Sequence, residues 1–461
     1  MKNRDYAIIL FKDDKEKNLP DDFMKLFSEN RKKGKFKFNE NEYFIVRNHD
    51  SQWIIFLGGG RIKEFSAFKL REIYLKLNKI AETLKIKKIT LLNRTLKKLG
   101  FDYKFEIGLM NSLFNYRFIK KSKKERDKGF KIEINGIPKE SEIYGEAINF
   151  TRSLINGSAE EINPETMEKT VYDNFDSNNF KINIIKGEEL EKRGFGGIIA
   201  VGKGGGKSPR LINIEYNHKK AVKTVSLVGK AVTFDSGGLN VKPYKAMEDM
   251  KIDMSGGSVV LGILKLANEL NLPINLKGYI PTVENMPGPL SYKQGDFVKI
   301  YNGKTVEIKH TDAEGRLILA DALSLAAEEN TDLIMDFATL TGAAISALGT
   351  KIAAILGNND TLIKKIVKQG WNNLEPLWQL PMPEFYEKDI ESDIADLKNT
   401  GYGEGGGTLK AAMFLEQFVN GKNWIHLDIA GPSFFETGDF FGLKKATGFG
   451  VRTTMDFLKY L

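Results

Sequence analysis

The 461-residue chain has no cysteine, only four histidines and no apolar run of membrane-spanning length. Without thiols there are no disulfides, no thiolate nucleophile and no sulfur-ligated zinc, which fits a reducing compartment. Any metal must be held by oxygen or nitrogen, and four imidazoles leave most of that work to carboxylates. The longest small and apolar stretch, 337–350, lies between Asp336 and Lys351 and falls short of the roughly 20 apolar residues a membrane span needs. The start, "MKNRDYAIILFKDDKEK", returns to charge after one short apolar run, too short for a secretory signal. The expectation is a cytoplasmic protein with no membrane association.

Positive charge is concentrated in the first part. Residues 1–140 hold 34 Lys+Arg against 19 Asp+Glu, a balance of +15, while the remainder holds 35 against 41, a balance of −6. That asymmetry divides the chain. In the first part "RIKEFSAFKLREIYLKLNKIAETLKI" reads as a long amphipathic helix and "KITLLN" as the strand after it. The polar run "FIKKSKKERDKGFKIEING" marks an exposed boundary, and "SEIYGEAINFTRSLINGS" a joining helix. The expected organisation is a basic α/β domain over 1–140, a linker helix over 141–165 and a larger domain over 166–461.

In the larger domain "TVSLVG", "LKGYIPTV", "DLIMDFA" and "WIHLDIA" read as buried strands, and "SVVLGILKLANEL", "RLILADALSLAAEE", "LKAAMFLEQFV" and "VRTTMDFLKYL" have helical spacing. The alternation predicts an α/β fold whose mixed central sheet is flanked by helices. Ligands in such folds gather beyond the carboxyl ends of the strands, where several charged clusters of this chain fall. One motif is rejected on spacing. "AVGKGGGKSPR" resembles a phosphate-binding loop, but Val201 stands where its first glycine belongs, and a strand, "PRLINIEY", follows in place of a helix.

Two clusters carry chemistry. "VGKAVTFDSGGLNVKPYKAMEDMKIDMSGG" holds Lys230, Asp235, Lys242 and Asp253, and "EIKHTDAEGRLILADAL" holds Asp312, Glu314 and Arg316. Taken singly, a charged residue belongs on a solvated surface. These carboxylates, however, are flanked by glycine turns and core-like sequence, where an unpaired charge costs several kcal/mol. Either a network of buried salt bridges neutralises them, or cations do. Four carboxylates can hold two divalent ions, with one or two bridging, and such a pair activates a water for attack on a carbonyl.

"VGKAVTFDSGGLNVKP", "MKIDMSGG", "ENMPG", "NGKTVEI", "HTDAEGRL", "DFATLTGA" and "HLDIAGP", in this order from about Glu146 onward, resemble the leucyl aminopeptidase family of hexameric dimetal peptidases (M17). The first 140 residues match only as a small α/β domain. The resemblance implies one ion on Asp235, Asp312 and Glu314 and another on Lys230, Asp235, Asp253 and Glu314, with Asp235 and Glu314 bridging and with Mn or Zn as the metal. It implies that Lys242 polarises the scissile carbonyl and that Arg316 holds a bicarbonate acting as general base. Met250 and the "TLTG" turn, with Thr339, Leu340 and Gly342, would shape a pocket for an apolar first side chain. Substrates would be peptides with a free N-terminus, and the assembly a homohexamer of two trimers. Two other chemistries use these residue types: a dimetal phosphoesterase, which usually brings more histidine, and a dipeptidase of the cysteinyl-glycinase kind. Some bacterial relatives bind DNA, so the +15 could serve nucleic acid; with no aromatic-interleaved or helix-turn-helix pattern beside it, a lysine-rich solvated surface is the preferred reading.

The chain departs from the family pattern at His310, in place of asparagine, at Gln294, in place of proline, and at "RSLINGS" in the linker helix. If the segment before the helix is extended, His310, Asp312 and Glu314 share one side. His310 is then expected behind the ligands, hydrogen-bonded to a ligating carboxylate rather than on the metal itself.

Overall fold

A computed structural model describes residues 4–13, 21–34, 36–40, 42–92, 95–116, 118, 129–175, 178–401 and 405–461. Two compact units emerge, 1–146 with 441–443, and 147–440 with 444–461. The break falls inside the helix Lys139–Asn156. The expected linker helix over 141–165 is thus two helices, because Asn163 opens a second one, Pro164–Asn174, with a reciprocal capping box to Thr166. Among the described residues no helix is long and apolar enough to cross a membrane.

The smaller unit is built on a five-stranded sheet in the order Tyr43–Arg47, Trp53–Gly58, Asp5–Leu10, Lys88–Leu91, Lys131–Glu133, of which only the first pair is antiparallel. Its helix Ala67–Leu84 starts on Ser66, whose hydroxyl accepts from Lys69 N, and buries Leu70, Ile73, Tyr74, Leu77, Ile80 and Ala81. That spacing of three and four residues is the stripe visible in the sequence.

In the larger unit the main sheet runs Leu377–Gln379, Ala353–Gly357, Trp424–Asp428, Leu333–Ala338, Thr224–Gly229, Asn275–Asn285, Arg210–Tyr216, Phe180–Lys186. Ala231–Asp235 pairs with the far half of Asn275–Asn285. The sheet is mixed, as expected: its central strands Trp424–Asp428, Leu333–Ala338, Thr224–Gly229 and Asn275–Asn285 are parallel, and antiparallel pairs lie outside them. All of these central strands therefore end on the same edge.

Helix Gly315–Glu328 is buried along almost its whole length. Its Asp321, fully buried, accepts Ile198 N through Oδ2 and Tyr301 N through Oδ1, both at 2.8 Å. Burial pushes this carboxyl up to about 7 despite those donors. Asp321→Asn turns one acceptor into a donor facing a backbone N–H. It is expected to lower stability by about 1–3 kcal/mol, read as a shifted denaturation midpoint.

Candidate metal centre

Four of the charged residues singled out in the sequence sit where an element ends or begins. Lys230 follows the strand ending at Gly229, Asp235 ends its own strand, Asp253 follows the short turn Met250–Ile252, and Glu314 precedes helix Gly315–Glu328. Between Asp235 and Lys242 the backbone reverses through Gly237 and Gly238, at φ 90° and 67°, a region that favours glycine. Gly315 is needed for a different reason: a Cβ there would lie 2.6 Å from Lys230 Cε.

These loops bring the four carboxylates and two lysines together. Lys230 Nζ lies 2.7 Å from Asp253 and 2.9 Å from Glu314, and donates to Thr339 O at 3.1 Å. Lys242 Nζ lies 2.8 Å from Asp235 and also contacts Asp312. Lys230, Asp235, Asp253 and Glu314 are each at most 3% exposed. One oxygen each from Asp235, Asp312 and Glu314 falls within a common 4.8 Å. The expected site residues thus share one centre, and Arg316, Met250, Thr339, Leu340 and Gly342 line the same cavity of about 520 Å³.

The electrostatics show what this constellation lacks. Burial, then the charge of Glu314, raises Asp235 to about 6; burial also raises Asp253 and Asp312. Burial pushes Glu314 up too, but Lys230 and Lys242 outweigh it and hold it low. Both lysines are held charged by the carboxylates, against the pull of burial. Two ammonium groups cannot balance four carboxylates, and the unmatched acids are the ones whose ionisation the fold resists. Glu314 Oε2 is buried with no hydrogen-bond partner. An all-carboxylate donor set with lysine amines, one oxygen orphaned and negative charge in excess, fits divalent cations.

Uncharged residues fix the geometry. Asn285 Nδ2 donates to Asp235 Oδ1 at 2.8 Å and to Thr311 O at 3.1 Å. The Thr311 hydroxyl donates to Gly237 O at 2.6 Å and accepts from Asn240 N at 2.8 Å, tying the Asp312 loop to the Asp235 loop. Asn399, fully buried, accepts from Lys309 N and donates to His310 O, and its carbonyl receives Arg316 Nη1 at 2.8 Å. Burial lowers the Arg316 guanidinium to about 10, still charged at neutral pH, and its Nε is buried without a hydrogen-bond partner. Asn285 and Asp428 stand inside "ENMPG" and "HLDIAGP", so the sequence offered a signal for them; Asn399 stood in no motif.

Two expectations meet a different geometry. Residues 311–312 form a turn, so the alternation assumed for His310, Asp312 and Glu314 does not arise. His310 is exposed, and its Nδ1 accepts from the backbone N of Asp312 at 3.2 Å instead of bonding a ligating carboxylate. The ring steadies the ligand loop through its backbone. Gln294 donates to Lys309 O at 2.7 Å, a contact the family proline could not make. In the rejected phosphate loop, Gly206 N and Lys207 N are occupied by the Glu284 carboxylate.

Comparisons agree with this architecture. The catalytic domain of the cytosol aminopeptidase family (peptidase M17) matches residues 149–455. A probable cytosol aminopeptidase of Cenarchaeum symbiosum is 44% identical over 326 residues, 70% of this chain and 67% of the relative. The cytosol aminopeptidase from Coxiella burnetii superposes with a TM-score of 0.87 at 30% identity, covering 100% of this chain and 98% of the other. The bottromycin maturation enzyme BotP in complex with Mn gives 0.86 at 28%, covering 99% and 98%.

Proposed function

The chain belongs to the cytosol aminopeptidase family, a family of metal-dependent aminopeptidases, and from that premise we propose that it releases leucine-like N-terminal residues from peptides with two divalent ions. The observation that carries this reading is the buried set of four carboxylates, with Glu314 Oε1 on Lys230 and its Oε2 orphaned. Asp235 and Glu314 would bridge, Asp312 would complete one site, and Lys230 and Asp253 the other. Mn or Zn suits this donor set, and Mn occurs in the related BotP complex. Once bound, the ions would polarise the scissile carbonyl, take the substrate's free amine and supply a water that deprotonates near neutral pH.

The chain's own groups do the rest. Lys242, 14% exposed, has an ammonium at the cavity wall that can stabilise negative charge growing on the carbonyl oxygen. Arg316, anchored on Asn399 and with an unpartnered Nε–H, would hold an anion; bicarbonate there would accept the water's proton. Met250, Ile252, Leu340, Ile345 and Phe434 give the cavity an apolar wall suited to a leucine side chain.

Asp428 holds two parts of that wall. Its Oδ1 accepts Leu340 N and Ala430 N at 3.1 and 3.2 Å, and its Oδ2 accepts the Thr341 hydroxyl at 2.6 Å. Asp428→Ala is expected to lower kcat/KM on leucine anilides on the order of a hundredfold, with Asp428→Asn recovering much of it. Equal losses in both variants would argue against a positioning role.

A homohexamer of two trimers and a cytoplasmic location complete the proposal; light scattering of an active 52 kDa species would refute the hexamer. The activity test compares leucine anilide, its N-acetyl derivative and an aryl phosphate with Mn and with Zn. Release from the free anilide alone supports the reading, and phosphate release alone rejects it.

A further inference from the structure

We propose that the smaller unit carries a second ligand site, for a nucleotide-sized organic phosphate, in the cavity lined by strands Lys88–Leu91 and Lys131–Glu133 and by the start of helix Tyr103–Asn115. The cavity measures about 850 Å³, within the range of small-molecule sites. It lies wholly within residues 4–142, so it belongs to this unit alone and is independent of the aminopeptidase reading.

Its charge is lopsided. Arg4, Lys97, Lys104 and Lys131 line it, and among the described residues none of the four forms an ion pair. Of its two carboxylates, Glu133 is already engaged by Lys88 at 2.9 Å, which leaves Glu142 alone against four cations. Unpaired cations converging on a concavity raise the local concentration of anions. Helix Tyr103–Asn115 begins at the cavity, but its first donors are taken: Asp102 accepts Lys104 N and Phe105 N at 3.0 and 3.1 Å. Recognition therefore falls to the four flexible cations, which suit spread phosphate oxygens better than one fixed carboxylate.

The remainder of the lining sets the body of the ligand. Leu92, Ile134 and Ile137 offer apolar surface and Tyr103 an aromatic ring, a surface for a planar or sugar-like group attached to the phosphates. A bare inorganic anion would leave it uncovered.

Isothermal titration of the full-length protein with ADP and with inorganic pyrophosphate tests the site. One ADP per chain is expected, weakened by added salt and tighter than pyrophosphate. Lys104→Glu with Lys131→Glu should raise the ADP Kd about tenfold or more, the size of a lost charge-assisted contact. Leucine anilide hydrolysis and the melting temperature of that variant should be unchanged. No ADP binding overturns the proposal, and so does pyrophosphate binding as tightly as ADP. Binding that the double variant leaves intact overturns it too, as does duplex DNA that binds without competition from ADP.

Discussion

Glu314→Gln is expected to cost aminopeptidase activity by orders of magnitude and to reduce bound metal, with the fold unchanged by circular dichroism. The substitution keeps the shape and one carbonyl oxygen but removes the charge and one acceptor, so it isolates electrostatics from packing. Glu314 is buried, one oxygen faces Lys230 at 2.9 Å, and the other has no hydrogen-bond partner. As a bridging group it would serve both ions, and its loss leaves two cations repelling each other with less compensation. Asp235→Asn should behave alike, since Asn285 and Gly237 already hold one of its oxygens and leave the other facing Lys242. A Glu314→Gln enzyme with full turnover and full metal content would show that the carboxylate bridges nothing.

Removing metal with a chelator should abolish activity and lower the melting temperature, by a margin that widens as pH rises from about 5 to 7. The sign follows from the raised acids. Asp235 moves from an ordinary value of 3.8 to about 6, and Asp253 and Asp312 also move up. A carboxyl raised in the fold contributes stability that is full below about 3.8 and is lost as pH climbs through the folded value. The metal-free protein therefore accumulates unfavourable charge in this window, while divalent ions need that same charge to bind. At concentrations about a hundredfold above Kd, one site adds about 2.7 kcal/mol. Thermal scans with Mn and with chelator at several pH values read the difference directly; a margin independent of pH would contradict the carboxylate-ligand account.

Much of this was legible because the signals were local. Strands such as Leu333–Ala338 and Trp424–Asp428 are buried at every position and mostly apolar, as parallel strands covered on both faces tend to be. The charged site residues stood beside glycine turns at strand ends, where an α/β fold puts its chemistry. Short edge elements were less visible: Leu377–Gln379 has three residues and takes its place through pairing with Ala353–Gly357. Asn399 was hidden for another reason. Its role depends on bonds to Lys309, His310 and Arg316, all more than eighty positions away, which no local pattern encodes. His310 was misplaced because alternation was assumed for a segment whose hydrogen bonds make it a turn.

The central claim is that two ions sit in this carboxylate centre and drive removal of N-terminal residues. Elemental analysis of the purified chain after dialysis against Mn, paired with leucine anilide turnover on the same samples, tests it most directly. The account predicts two ions per chain in the active protein, and fewer, with activity lost in step, in Asp235→Asn and Glu314→Gln. Full turnover with no bound divalent ion, or undiminished metal content in both variants, would contradict it.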